Sequence, residues 1–150
     1  MARILVASDA PSVRSEIASI TKGVGVDVVE ATSGSDVVRM VREDPPDLVV
    51  VDMQMGYMGG MAVCLELRLE ESYNDVPHVP VLMLLDRRPD VFLAKRSSAE
   101  GWLVKPLDPL RVRRATRALL ASQTYHDESY QPVPVLVGSP QPSLPSASAR

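Results

Sequence analysis

A single cysteine, Cys64, among 150 residues leaves no partner for an internal disulfide and no set of thiolates for a zinc site. It is expected to pack as a small hydrophobe on a helix face. Lysine is nearly as scarce, with only Lys22, Lys95 and Lys105 set against abundant arginine, which makes Lys105 conspicuous between Val104 and Pro106. The net charge of −3 lacks the basic excess of a nucleic-acid-binding surface, so no nucleic-acid partner is expected. No apolar run approaches the roughly 18 residues of a membrane span, and Met1-Ala2-Arg3 leads straight into a short strand rather than a secretory signal. A cytoplasmic protein without direct membrane insertion is expected. Also missing are a Gly-rich phosphate loop, a cofactor motif and a nucleophile beside an activating base, so an enzyme proper is not expected.

What is present is a core. Hydrophobic residues make up 45% of the chain, enough for one domain, and they alternate between short apolar runs and helical spacings. Strands are expected at 4–7, 27–31, 48–51, 79–85 and 102–104. A helix at 11–22 has Pro11 in its first turn, Val13, Ile17 and Ile20 on one face and Gly23 past its end. Ser33 caps a second helix, with Val37, Val38 and Val41, that stops before Pro45-Pro46. A third at 61–71 is expected to turn Leu65 and Leu69 inward, a weak fourth covers 90–97, and a fifth runs from Pro109, behind the cap Asp108, to about Ala121. Five strands separated by helices call for right-handed crossovers and an α/β fold, a parallel sheet with helices on both faces. The most apolar run, 48–51, belongs at its centre.

Three charged residues stand where such a sheet places its chemistry. Asp52 ends the run Leu48-Val49-Val50-Val51, Asp9 follows 4–7, and Lys105 follows Trp102-Leu103-Val104. All three fall at the carboxyl edge of the sheet, where open α/β folds bind ligands. Two acids and one lysine there form a small site for a cation and a phosphoryl group.

Over residues 3–121 the chain resembles the response-regulator receiver domains, the CheY-like family. Asp9, Asp52, the methionine-rich loop after Asp52 and the Lys105-Pro106 pair are all in register with it. The resemblance implies a flavodoxin-like sheet of order 2-1-3-4-5 and a phosphoryl group accepted by Asp52 from a histidine kinase. It further implies Mg²⁺ held by Asp9, Asp52 and the backbone carbonyl of Gln54, and Lys105 as counterion to the phosphoryl oxygens. An in-line transfer to a carboxylate needs a hard cation and a fixed positive charge on those oxygens.

The departures matter as much. Ser8 stands where the family has a first acid, so Mg²⁺ is expected to bind weakly. Leu85 replaces a Thr or Ser whose hydroxyl grips the phosphoryl group, a bond leucine cannot donate. Trp102 occupies the switching aromatic position and is expected to be harder to bury than Tyr or Phe. Gly56 replaces a common proline and frees that backbone.

Met53, Met55, Met58 and Met61 are expected to fill gaps and anchor the loop. His78 and His126 stand alone in the sequence and support no metal site. Arg111, Arg113, Arg114 and Arg117 form a row at helical spacing, which is either a solvated face or a docking surface for an acidic partner.

One domain and a tail are expected, a receiver at 1–122 and an extended segment at 123–150. The tail is rich in proline and serine, lacks periodic core positions and is expected to be disordered or partner-bound. Its one apolar segment, Val133, Pro134, Val135, Leu136 and Val137, could add to another protein as an extended strand. No output domain is apparent. Two functions follow: an atypical stand-alone receiver with impaired switching that works through protein contacts, and a phosphorylation-independent accessory subunit docked on a larger assembly.

Overall fold

The computed structural model describes residues 1–23 and 25–128. Its elements run β1 (Ala2–Ala7), α1 (Pro11–Thr21), β2 (Val26–Ala31), α2 (Gly34–Glu43), β3 (Leu48–Asp52), α3 (Gly60–Ser72), β4 (Val81–Leu85), a 3-10 turn (Arg88–Asp90), α4 (Val91–Arg96), β5 (Gly101–Val104), α5 (Pro109–Leu120) and β6 (Tyr125–His126). The strands form one sheet in the order β2-β1-β3-β4-β5-β6, every neighbouring pair parallel. This is the expected 2-1-3-4-5 arrangement with one strand added at its edge.

β3, β4 and β5 are buried along their whole length, apolar except for Asp52 at the end of β3, and bury the centre of the sheet on both faces. On one face Ile4, Val6, Val50, Leu82, Leu84 and Leu103 meet Ile17 of α1 and Val112, Ala115 and Leu119 of α5. On the other, Leu5, Val49, Val51 and Met83 meet Val37 and Val41 of α2, Val63, Cys64 and Leu67 of α3, and Ala94 of α4. β3 lies between β1 and β4 with all five residues buried, so its last residue, Asp52, ends in the middle of the sheet edge. The local signals act where expected. Ser33 accepts the Asp36 N–H and Asp108 the Leu110 N–H, each satisfying an orphan donor of a helix start.

Three expectations need correction. Leu65 and Leu69 face water, 46% and 48% exposed. Apolar and charged residues alternate along α3, with Glu66, Arg68 and Glu70 between and beside Leu65, Leu67 and Leu69, so helical spacing selects no face, and the sheet takes Val63, Cys64 and Leu67 instead. β4 begins at Val81, not Val79, because Pro80 has no N–H to donate to the ladder. Trp102 is buried after all, 3% exposed, although its indole Nε1 finds no hydrogen-bond partner. Its ring stacks on His126, centroids 4.2 Å apart and planes 3° from parallel.

That stack belongs to a seam the sequence pattern did not suggest. After α5 the chain turns back, and β6 lies beside β5 with Gly101 opposite Tyr125 and Trp102 opposite His126. Asp127 follows, 2% exposed. Its carboxylate accepts the Val104 N–H at 2.9 Å and pairs with Arg111 at 2.5 Å. Residues 125–127 are therefore part of the folded sheet. The segment 133–137 lies outside the described residues.

Candidate functional site

The carboxyl ends of β1, β3, β4 and β5 converge on one cluster. Asp52 is 2% exposed, yet both its oxygens are engaged. Lys105 donates to them at 3.0 and 3.1 Å, and the Ser8 hydroxyl donates to Oδ2 at 2.9 Å. Backbone ladders fix the height of these groups, since the Met53 N–H donates to the Leu84 carbonyl and the Lys105 N–H to the Leu85 carbonyl, both at 2.8 Å. The Lys105–Pro106 peptide is cis.

Ser8 is wholly buried. Besides donating to Asp52 it accepts the Ala10 N–H at 3.0 Å. Arg14 holds it from behind, donating to the Ser8 carbonyl at 2.7 Å while pairing with Glu30 at 3.0 Å. A residue read as a missing acid is thus a positioned donor aimed at Asp52. Asp9, by contrast, is exposed, and its carboxylate accepts the Gly56 N–H at 3.1 Å, tying β1 to the loop after β3. Gln54 in that loop is exposed.

The loop is held where it leaves the sheet. Gly59 and Gly60 start α3 directly over the carbonyls of Met53 and Asp52, where a Cβ would come within 2.4 and 2.7 Å of those oxygens. Only glycine permits that approach. Met53 and Met55 are buried in the core, and Met58 and Met61 pack against it. The methionines therefore anchor the loop from beneath, as their type suggests.

Sequence reasoning missed a further participant. Asp86, the residue after Leu85, pairs with Lys105 at 3.0 Å. Burial alone would lower the Lys105 pKa, but hydrogen bonds to Asp52 and Asp86, together with their charges, outweigh it and raise the ammonium above the ordinary lysine value. The only sequence signal was an acid directly after an apolar strand, the same signal that singled out Asp9 and Asp52. Leu85 itself is fully buried in the core and offers the site no donor.

Other singled-out residues fall elsewhere. Arg111 does not belong to an exposed row. It turns inward to Asp108, Asp127 and the Pro106 carbonyl, while Arg113, Arg114 and Arg117 stay exposed. Neither histidine stands alone. His78 reaches Glu71 at 2.9 Å and Glu100 at 3.1 Å, and His126 covers Trp102. Cys64 is buried against the Ser97 carbonyl, and burial pushes its thiol up to about 11. Among the described residues no three or more His, Cys, Asp or Glu side chains gather as a metal cluster, and no helix is long and apolar enough to cross a membrane.

Comparison with known proteins gives this cluster its family. The sequence pattern of the Response regulator receiver domain matches residues 4–117. The chain is 29% identical over 121 residues to protein PilH of Pseudomonas aeruginosa, covering 81% of this chain and 99% of PilH. It is 34% identical over 120 residues to the DNA-binding response regulator MtrA of Mycolicibacterium smegmatis, covering 79% of this chain and 50% of MtrA. It thus spans about half the length of the MtrA proteins it matches. In structure it is similar to the chemotaxis response regulator CheY4 of Vibrio cholerae, with a TM-score of 0.71 at 25% identity over 79% of this chain and 98% of that one. It is also similar to a LuxR-family two-component response regulator from Aurantimonas, with a TM-score of 0.72 at 26% identity over 83% of this chain and 89% of that one. A match that runs from the first strand into the last helix takes in every strand that carries the site, and the chain belongs to the response-regulator receiver family of two-component signalling.

Proposed function

We propose that this chain is an atypical, stand-alone cytoplasmic receiver in which Asp52 accepts a phosphoryl group from a histidine kinase and which signals through protein contacts with an impaired phospho-switch. One observation carries the reading: a nearly inaccessible carboxylate at the centre of the sheet edge, with the ammonium of Lys105 on both its oxygens. In the transfer an Asp52 oxygen attacks phosphorus in line, a new P–O bond forms as the bond to the donor breaks, and Lys105 takes up charge on the transferring oxygens. The match across 99% of PilH supports the stand-alone reading.

Mg²⁺ is implied by the family, and the residues fit it in kind. Asp9, Asp52 and the Gln54 carbonyl are all oxygen donors suited to a hard cation. They are one carboxylate short, because Ser8 brings a neutral hydroxyl already committed to Asp52. When bound, the cation would neutralise charge on the transferring oxygens, and its affinity is expected to be low.

The impairment rests on Leu85 and Trp102. With no hydroxyl at the end of β4, nothing there pulls the following loop toward a phosphoryl oxygen. Trp102 is pinned between the core and His126, so movement at the switch position must also break the stack. The same stack favours the second reading, a phosphorylation-independent accessory subunit docked on a larger assembly. In that reading the exposed Arg114 and Arg117, with Arg113 beside them, and the segment 133–137 meet the partner.

The test is intact-mass spectrometry after incubation with acetyl phosphate at graded Mg²⁺. Slow, partial modification that disappears in Asp52→Asn is expected, with faster modification at lower Mg²⁺ in Ser8→Asp. Complete modification of the unaltered chain at ordinary Mg²⁺ would remove the claim that the site is atypical. No modification even in Ser8→Asp would leave the accessory reading.

A further inference from the structure

The Lys105 ammonium has three N–H donors, and the structure uses three contacts: two to the Asp52 oxygens and one to Asp86 Oδ1 at 3.0 Å. No donor remains for an incoming oxygen until one carboxylate releases. The two carboxylates differ in their freedom to do so. The Asp52 side chain is 3% exposed and confined, whereas that of Asp86 is 37% exposed and can turn into water at little cost. Charge points the same way, because Lys105 already faces two anions and a phosphoryl group on Asp52 would bring further negative charge close to Asp86.

We infer that Asp86 is a built-in competitor for the Lys105 ammonium, a positioning residue that must be expelled toward solvent before Lys105 can serve an anion on Asp52. This rests on the reading of Asp52 as the phosphoacceptor. It also sets the direction of the loop's response. The residue after Leu85 is pushed away from the modified site, and Arg87, which pairs with Asp90 at 3.1 Å across the same turn, moves with it.

Beryllofluoride, an anionic mimic of the phosphoryl group, is the probe, titrated in the presence of Mg²⁺ and followed by amide NMR of the full chain. Asp86→Asn keeps the shape of the side chain and removes its charge. It should bind beryllofluoride roughly tenfold more tightly than the unaltered chain, as expected for one screened charge contact. Asp86→Glu keeps the charge and should stay within about twofold of it. On saturation the amides of residues 86 and 87 should shift in the unaltered chain and in Asp86→Glu, and far less in Asp86→Asn. Binding by Asp86→Asn alone, with none by the unaltered chain, would support the competition in its strongest form. Equal affinity in Asp86→Asn and the unaltered chain, with both binding, would overturn the competition and leave Asp52 as acceptor. Binding by neither, when the variants fold with unchanged thermal midpoints, would overturn the acceptor reading and the competition together.

Discussion

Two polar clusters flank β5, each with two carboxylates on one cation, and they differ in how those acids are answered. At its carboxyl end one ammonium, Lys105, serves Asp52 and Asp86, with Asp9 a short way off across the loop. At its outer edge Asp127 is matched by Arg111, receives the Val104 N–H, and has Asp108 sharing the same guanidinium from its helix cap. The first cluster adds a third acid, Asp9, and answers Asp52 with side-chain donors, Lys105 and Ser8. The second answers each acid with a backbone N–H besides the guanidinium, Val104 for Asp127 and Leu110 for Asp108, and uses most of the Arg111 donors on protein oxygens. Acids crowded on one ammonium and held by side chains that can turn are what a binding site keeps in reserve for a cation or a transferred group, while acids matched by backbone donors as well as a cation are what a structural joint uses.

The comparison is broken most directly at the joint. Asp127→Ala strips the buried partner from Arg111 and the acceptor from the Val104 N–H, and we expect it to destabilise the domain by about 3 kcal/mol. Asp127→Asn, which keeps an acceptor, should recover part of that. Urea unfolding followed by Trp102 fluorescence measures both, since the ring lies in the seam. Removal of residues 123–150 should cost at least as much. Unchanged midpoints would return residues 125–127 to the status of a dispensable tail.

The site should respond less. Lys105→Met leaves Asp52 buried with only the Ser8 hydroxyl to answer its charge, for an expected loss of about 2 kcal/mol. Asp52→Asn removes one acid from the crowded edge and keeps an oxygen for Lys105, for an expected gain of about 1 kcal/mol. Denaturant midpoints that moved in the opposite directions would show the edge to be matched rather than crowded, and the distinction from the seam would fall.

The two regions also differ in how far they could be read from sequence. Asp9, Asp52 and Lys105 each follow an apolar run, so the rule that strand ends carry the chemistry found them without a structure. Asp86 obeyed the same rule but sat in Asp86-Arg87-Arg88-Pro89, which has the look of an ordinary turn. Ser8 was legible only as a missing acid, because its value lies in a hydroxyl direction that residue type does not reveal. Nothing marked the seam. A strand of two residues, Tyr125–His126, has no periodicity to detect, and Asp127 resembles any tail acid until Arg111 is seen turned toward it. The strands, the parallel sheet and the helices on both its faces were legible because apolar runs and capped helices mark them, while the order 2-1-3-4-5 came from the family resemblance. α3 resisted because apolar and charged residues alternate along it, which leaves its neighbours, and not its own pattern, the choice of face.

The smallest expected effect separates the regions by pH. Lys105 has its pKa raised in the fold, burial opposing and the bonds to Asp52 and Asp86 prevailing. Its stabilising contribution is therefore full below the ordinary lysine value and is lost as pH climbs through the higher folded value. In the seam Tyr125 has its pKa raised too, first by burial and then by the Asp127 charge. A tyrosine kept neutral in the fold ionises more readily once unfolded. Its contribution is thus full below the ordinary tyrosine value and fades as pH rises through the folded one. The alkaline decline in stability should then be the sum of one part from each region. Unfolding free energies measured from pH 8 to 11 should fall less steeply in Lys105→Met and in Tyr125→Phe than in the unaltered chain, and least steeply when both are combined. A decline abolished by Lys105→Met alone would mean that the seam does not respond to pH in this range, and the two clusters would then differ in pH response as well as in how their acids are answered.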